Sequence, residues 1–136
     1  MDHVMRSLRT AINDHDLDGF VALFAPDYRS EQPAHPARTF QGADQVRENW
    51  ASVFAGIPDL SAELRVLATT DDGIEMGEWD WHGTHVDGSR FAMRGVIIIG
   101  VRGGQIAWGR LYMEPVEQGG ADIGEMVRET YRPPGP

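Results

Sequence analysis

The side chains able to carry chemistry are five histidines, three tyrosines, twenty-one aspartates and glutamates and twelve arginines, with no cysteine and no lysine. No thiolate nucleophile, disulfide or cysteine-bound zinc is available, and no amine for Schiff-base chemistry. His3, His15 and His85 fall at a terminus or in loops. His35 sits within Pro33–Ala34–His35–Pro36, which two prolines hold out of helix, and is the candidate acid–base group. Its competing reading is a solvent-facing loop histidine. Tyr28, Ser30 and Gln32 alternate just before it, the spacing at which a strand points side chains to one face. These hydrogen-bonding groups would orient a ligand, with Tyr28 donating to a developing oxyanion; otherwise Tyr28 is a core residue with its hydroxyl on a backbone partner. Isomerisation, cyclisation or dehydration fits such groups, because no cofactor motif is present. No HExxH or two-histidine-carboxylate set implies a metal, and no glycine-rich phosphate loop joins a strand to a helix.

A second cluster is Glu78–Trp79–Asp80–Trp81–His82. Alternation puts the two indoles on one face and the polar residues on the other, so burial favours Trp79 and Trp81 toward a core or pocket. Glu78, Asp80 and His82 then face outward, where Arg65, Arg94 and Arg110 form a cross-strand ladder. The alternative puts Glu78, Arg110 and Glu114 inside as an acid–base cluster. Trp50, Phe54, Phe91 and Met93 are core residues in any fold, and their surplus of aromatic surface points to a cavity.

The elements that must position these groups follow from periodicity. Val4, Met5, Leu8, Ala11 and Ile12 recur at helical spacing over His3–Asn13, and Leu17, Phe20, Val21, Leu23 and Phe24 form a second stripe ended by Pro26. Tyr28–Gln32 reads as extended and Arg38–Phe40 as a short strand. Val46, Trp50, Val53 and Phe54 mark a third helix over Ala43–Ala55. The period then changes to two. Leu60, Ala62, Leu64, Val66 and Ala68 alternate with Ser61, Glu63, Arg65 and Leu67, which predicts a strand with the first set on the core. Strands at about 74–82, 91–101 and 105–116 follow, separated by Asp71–Asp72–Gly73, His85–Val86–Asp87–Gly88 and Arg102–Gly103–Gly104. The chain reads as one α+β domain over residues 1–118 with a Gly/Pro-rich tail over 119–136 that carries a short helix near Ile123–Tyr131.

Composition excludes several partners. A formal charge of −9 repels phosphate backbones and anionic lipid, so neither nucleic acid nor membrane is expected. The Met1–Asp2–His3 start has no basic or apolar leader, and the longest apolar run, Val96–Ile99, is too short for a span, which makes the expected location cytoplasmic.

Several fragments, in order and spacing, resemble the nuclear transport factor 2-like, or SnoaL-like, superfamily. They are Leu23–Phe24–Ala25–Pro26–Asp27–Tyr28; Phe40–Gln41–Gly42 with Val46 and Trp50; Pro58–Asp59–Leu60; Gly83–Thr84–His85 with Gly88; and Gly104–Gln105–Ile106 with Tyr112 and Glu114. The resemblance implies a cone-shaped, curved antiparallel sheet packed on three N-terminal helices, as in cystatin-like folds, with a pocket between them and commonly a homodimer. Its members include ketosteroid isomerases, polyketide cyclases, epoxide hydrolases, dehydratases and non-catalytic modules, so the fold alone settles no function. The ketosteroid isomerase base corresponds to Gln32, the epoxide hydrolase arginine and aspartate to Trp79 and Trp81, and the acid on the last strand to Leu111. None can do the corresponding chemistry, so neither of those two activities is expected. A one-residue bulge would instead turn Arg110 or Glu114 inward. Two functions stay open. One is a pocket for a small apolar, polyketide- or steroid-like molecule, with Ser30, Gln32, Trp79, Trp81, Met93 and Leu111 among its contacts; the other is a dimeric assembly module with a vestigial pocket.

Overall fold

The computed structural model describes residues 3–135. Two short helices, α1 (Val4–Asn13) and α2 (Leu17–Val21), lead into β1 (Phe24–Glu31), a 3-10 turn at Pro36–Arg38, the two-residue β2 (Phe40–Gln41) and α3 (Ala43–Gly56). Four long strands follow: β3 (Ser61–Thr69), β4 (Ile74–Thr84), β5 (Arg90–Arg102) and β6 (Gln105–Pro115), and then α4 (Ile123–Tyr131). All six strands form one curved sheet in the order β2-β1-β6-β5-β4-β3. Neighbours β3 to β6 are antiparallel, as their alternation implies. The Gly103–Gly104 turn between β5 and β6 has φ of 58° and 78°, the positive pair that a two-residue hairpin loop needs to match strand twist.

Three features depart from the periodicity. The sheet is mixed, because β1 runs parallel to β6. The second helix stops at Val21, and Phe24 to Pro26 already belong to β1. Pro26 is tolerated there because the register with β6 shifts between Phe24 and Arg29, so no regular ladder bond is lost. In β3 a shift between Leu64 and Val66 inverts the face. Val66 is 57% exposed, and Leu67 packs on the core in its place.

Helix α1 is fastened to the sheet at both ends. Its N-terminal residue His3 offers no side-chain cap. Instead the buried Glu75 of β4 accepts hydrogen bonds from the backbone N–H of Val4 at 3.1 Å and Met5 at 2.9 Å. A carboxylate in that position also meets the positive end of the helix dipole. At the other end the Asn13 amide accepts from Ala62 N–H at 2.7 Å and donates to Ala62 C=O at 3.0 Å, pairing the edge strand β3 as a further strand would. His15 Nε2 meets the Leu60 carbonyl at 2.8 Å. Between these ties Met5, Leu8 and Ile12 are buried in the core with Trp79, Ile99 and Ile106. By contrast α4 exposes Ile123, Val127 and Tyr131, and its first turn is capped by Asp122 on Glu125 N–H at 2.9 Å. Among the described residues no helix is long and apolar enough to cross a membrane.

Removing the Glu75 acceptors leaves two N–H groups of a buried helix start unpaired. Glu75→Ala should therefore lower stability by about 2–3 kcal/mol, and Glu75→Gln, which keeps one acceptor oxygen, by about half as much. Urea unfolding measures both; equal, negligible losses would show that water caps α1 instead.

Candidate functional site

A cavity of about 270 Å³ lies between the concave face of the sheet and the first three helices. Its floor carries Trp79 and Trp81 from β4, with Ile97 and Ile99 from β5. Strand parity explains this: Trp79 is 1% and Trp81 8% exposed, whereas Glu78 before them and His82 after them are exposed and Asp80 between them is half-buried on the outer face. Trp50 of α3 closes over them, its ring 5.6 Å from Trp81 and 4.3 Å from Phe20 of α2, and Trp79 meets Trp81 edge-on at 6.1 Å. The helical spacing Val46, Asn49, Trp50, Val53 puts all four on the α3 face that lines the cavity.

The β6 wall depends on one extra residue. Gly100 pairs with Trp108 but Val101 with Ile106, so Ala107 is unpaired and the strand changes face there. Ile106 is buried before the bulge; Gly109, Leu111 and Met113 face inward after it. Unbroken alternation from Ile106 would instead have turned Trp108 and Arg110 inward. They lie on the opposite face, with the Arg110 guanidinium 4.5 Å over the Trp108 ring.

Polar groups enter the cavity mainly from β1. Tyr28 is 4% and Ser30 3% exposed, and Gln32 follows at the mouth. The Tyr28 hydroxyl runs over Gly109, where a Cβ would stand only 2.6 Å from it, so only glycine leaves room for the phenol. Burial pushes the Tyr28 phenol above its ordinary value of 10.0, with the Ser30 hydroxyl opposing the shift. It stays protonated at neutral pH and acts as a donor. The indole N–H groups of Trp79 and Trp81 are also buried donors, and neither finds a protein acceptor. Arg38 and Asn49 complete the mouth; the Arg38 Nη1 donates to Gln32 Oε1 at 2.8 Å, and Asn49 Oδ1 accepts from Gln45 at 2.7 Å. No aspartate, glutamate or histidine is among the described residues that line the cavity.

A family model for the SnoaL-like domain matches residues 4–108. The chain belongs to the SnoaL-like family. Among solved structures with this fold, IdmH from Streptomyces antibioticus, a candidate polyketide cyclase, is 22% identical with a TM-score of 0.70, covering 82% of this chain and 89% of its own. RV0760c from Mycobacterium tuberculosis, solved with estradiol-17beta-hemisuccinate, is 18% identical with a TM-score of 0.70, over 90% of this chain and 93% of its own. A computationally designed 17-OHP binder is 20% identical with a TM-score of 0.70, over 83% and 95%. No curated protein of known function matches the sequence significantly.

Within this SnoaL-like cavity stand eight of the residues singled out from sequence: Tyr28, Ser30, Gln32, Trp50, Trp79, Trp81, Met93 and Leu111. Phe54 and Phe91, expected there too, are outside the lining. Phe54 stacks on His15 at 5.2 Å, and Phe91 meets His85 edge-on at 5.6 Å. Nor do Glu78, Arg110 and Glu114 form an inner cluster. Glu78 lies 3.9 Å from Arg65, Arg110 rests on Trp108, and the outer ladder is carried instead by Arg94 on Asp80 at 3.3 Å. Glu114 pairs with His35, whose Nε2 lies 2.7 Å from Glu114 Oε1, at the surface and outside the lining. Because a carboxylate only accepts, Nε2 is the donor of this pair. Arg38 and Asn49 were missed. Asn49 had a signal, a polar residue three after Val46 in an apolar stripe.

The raised Tyr28 value gives stability a definite pH dependence. Unfolded phenol ionises first, so this contribution is complete below about pH 10 and falls above it by up to about 1.4 kcal/mol per pH unit, until the folded phenol ionises as well. Urea unfolding between pH 9 and about pH 11.5 should show that decline, flattened in Tyr28→Phe. An identical slope in the variant would place the phenol in water.

Proposed function

We propose that this SnoaL-like protein binds a compact, mostly apolar ring compound of polyketide or steroid type, with the Tyr28 hydroxyl donating to one of its oxygens. The observation that carries this reading is the aromatic-walled cavity with a few convergent donors. Its 270 Å³ lies just under the usual range of about 300–1,000 Å³ for small-molecule pockets, which fits two or three fused rings or one end of a longer molecule. The buried indole N–H groups add to the case, since an unpaired donor costs about 1–3 kcal/mol that an acceptor on a ligand would recover. The estradiol-17beta-hemisuccinate complex of RV0760c and the design of a 17-OHP binder on the same fold support this class of molecule.

Binding without turnover has better support than catalysis, because among the described residues no carboxylate or imidazole lines the cavity. One observation favours the second reading: Glu114 orients the His35 imidazole through Nε2 in the loop that follows Gln32, the arrangement of a carboxylate-held acid–base group. Turnover through it requires that loop to swing His35 over the mouth, and an activity on a polyketide that vanished in His35→Gln would establish it.

Three of the four tryptophans line the cavity, so intrinsic fluorescence reports occupancy directly. In a panel of neutral steroids and aromatic polyketides, at least one compound should quench it and, at about 100-fold its dissociation constant, stabilise the fold by about 2.7 kcal/mol. Tyr28→Phe should weaken that compound by roughly 2–10-fold. If no compound moves either signal, the cavity is not a binding site.

A homodimer through the outer sheet face belongs to the same proposal. Val66, Val96 and Tyr112 are 57%, 36% and 43% exposed there, beside the Arg65–Glu78 and Arg94–Asp80 pairs. Sedimentation should give twice the 15.1 kDa chain mass, reduced to one by Tyr112→Arg. A wild-type species of chain mass at micromolar concentration would refute it.

A further inference from the structure

The depth of the cavity is uncharged, but its mouth is not. Arg38 is the single charged residue among the described residues that line it. Among the described residues five other arginines, 29, 47, 65, 94 and 102, stand within ion-pair distance of a carboxylate; Arg38 and six more do not, and of these Arg38 is the one that lines the cavity. A guanidinium at the mouth of a cavity whose described lining holds no acid keeps its charge available to an anion arriving from solvent.

What holds Arg38 instead is neutral. Its Nη1 donates to the Gln32 carbonyl oxygen at 2.8 Å, and Gln32 lines the same mouth. A glutamate at position 32 would have neutralised the guanidinium, whereas the amide fixes one edge of the fork and leaves the charge uncompensated. The remaining N–H donors suit a planar anion, which a guanidinium binds through two parallel hydrogen bonds. The other polar groups on the wall agree with this polarity. Tyr28 and Ser30 are neutral, Asn49 is an amide, and none of them repels an anion.

We propose that the ligand carries a carboxylate, bound at the mouth by Arg38 with Gln32 as its positioning residue, while the apolar rings occupy the space over Trp79 and Trp81. This rests on the ligand-binding reading above and adds the charge and the orientation of the molecule. The ligand enters ring first and leaves its acid at the rim. A solvent-facing guanidinium gives up little hydration to make such a pair, so the gain sits at the low end of charge-assisted hydrogen bonds, about tenfold in affinity.

Calorimetry with 2-naphthoate and its neutral amide, 2-naphthamide, tests the proposal. Wild-type protein should bind the acid about tenfold more tightly than the amide, and added salt should shrink that difference by screening the exposed charge. Arg38→Gln should abolish the preference, chiefly by lowering the acid's affinity about tenfold. Arg47→Gln, which removes an arginine on the outer side of α3, should keep it. Equal affinities in wild type, or a preference that survives Arg38→Gln, would overturn the proposal. So would binding of neutral steroids with no binding of naphthoate, an outcome that leaves the cavity reading intact. If neither naphthalene compound nor any steroid binds, the cavity reading falls and this proposal with it.

Discussion

The carboxylate of Glu75, buried beneath the first turn of α1, fixes the helical layer over the sheet. A buried polar group in that position is tolerable only because two backbone N–H groups meet its oxygens. Together with Asn13 on Ala62 at the far end, it sets α1 along β3 and β4 at a defined height. The sheet curves beneath it, and the space that neither layer fills is the cavity. Had α1 been held by apolar contact alone, it could slide along its ridge of Met5, Leu8 and Ile12 and collapse that space.

The cavity stays open because its walls are large, flat and braced against each other. Trp50, Trp79 and Trp81 meet edge to face, an arrangement that satisfies aromatic quadrupoles yet leaves concave gaps between planes. The phenol of Tyr28 is held over Gly109, where a bulkier residue would push it aside. Rigid walls of this kind suit recognition: a ligand finds its donors already in place and little side-chain freedom is lost on binding.

Much of this was legible in the sequence, and the exceptions have physical causes. The Trp79 and Trp81 parity was readable because β4 is regular from Ile74 to Thr84 and one-sided burial forces alternation. Helix α3 was readable from its stripe. Val66 and Leu67 were assigned to the wrong faces because a bulge inserts one residue without altering composition, and nothing in Leu64–Arg65–Val66 marks it. The parallel pairing of β1 with β6 joins segments some eighty residues apart, beyond the reach of local periodicity. Of the site, the groups that depend on strand alternation were found and those that depend on how a loop folds back were not. Arg38 belongs to the second kind, since its place at the mouth is set by the 3-10 turn and by Gln32. Likewise His35 and Glu114 were noticed separately, and only the path of the loop brings them together.

The unpaired residue at Ala107 has an evolutionary reading. It acts as a phase shifter in β6: everything beyond it on the strand is assigned to the inner or outer face by the length of the segment rather than by its letters. With the bulge kept, loss of one codon just beyond it, that of Trp108 or Gly109, would exchange Leu111 and Met113 for Arg110 and Tyr112 on the inner wall, converting an apolar wall into a cationic, hydrogen-bonding one in a single event. Two complete wall chemistries are thus encoded in one strand, interleaved, and only one is displayed. A fold that keeps such a reserve can reach a new ligand class through insertion or deletion, a route invisible to comparisons that align residues position by position.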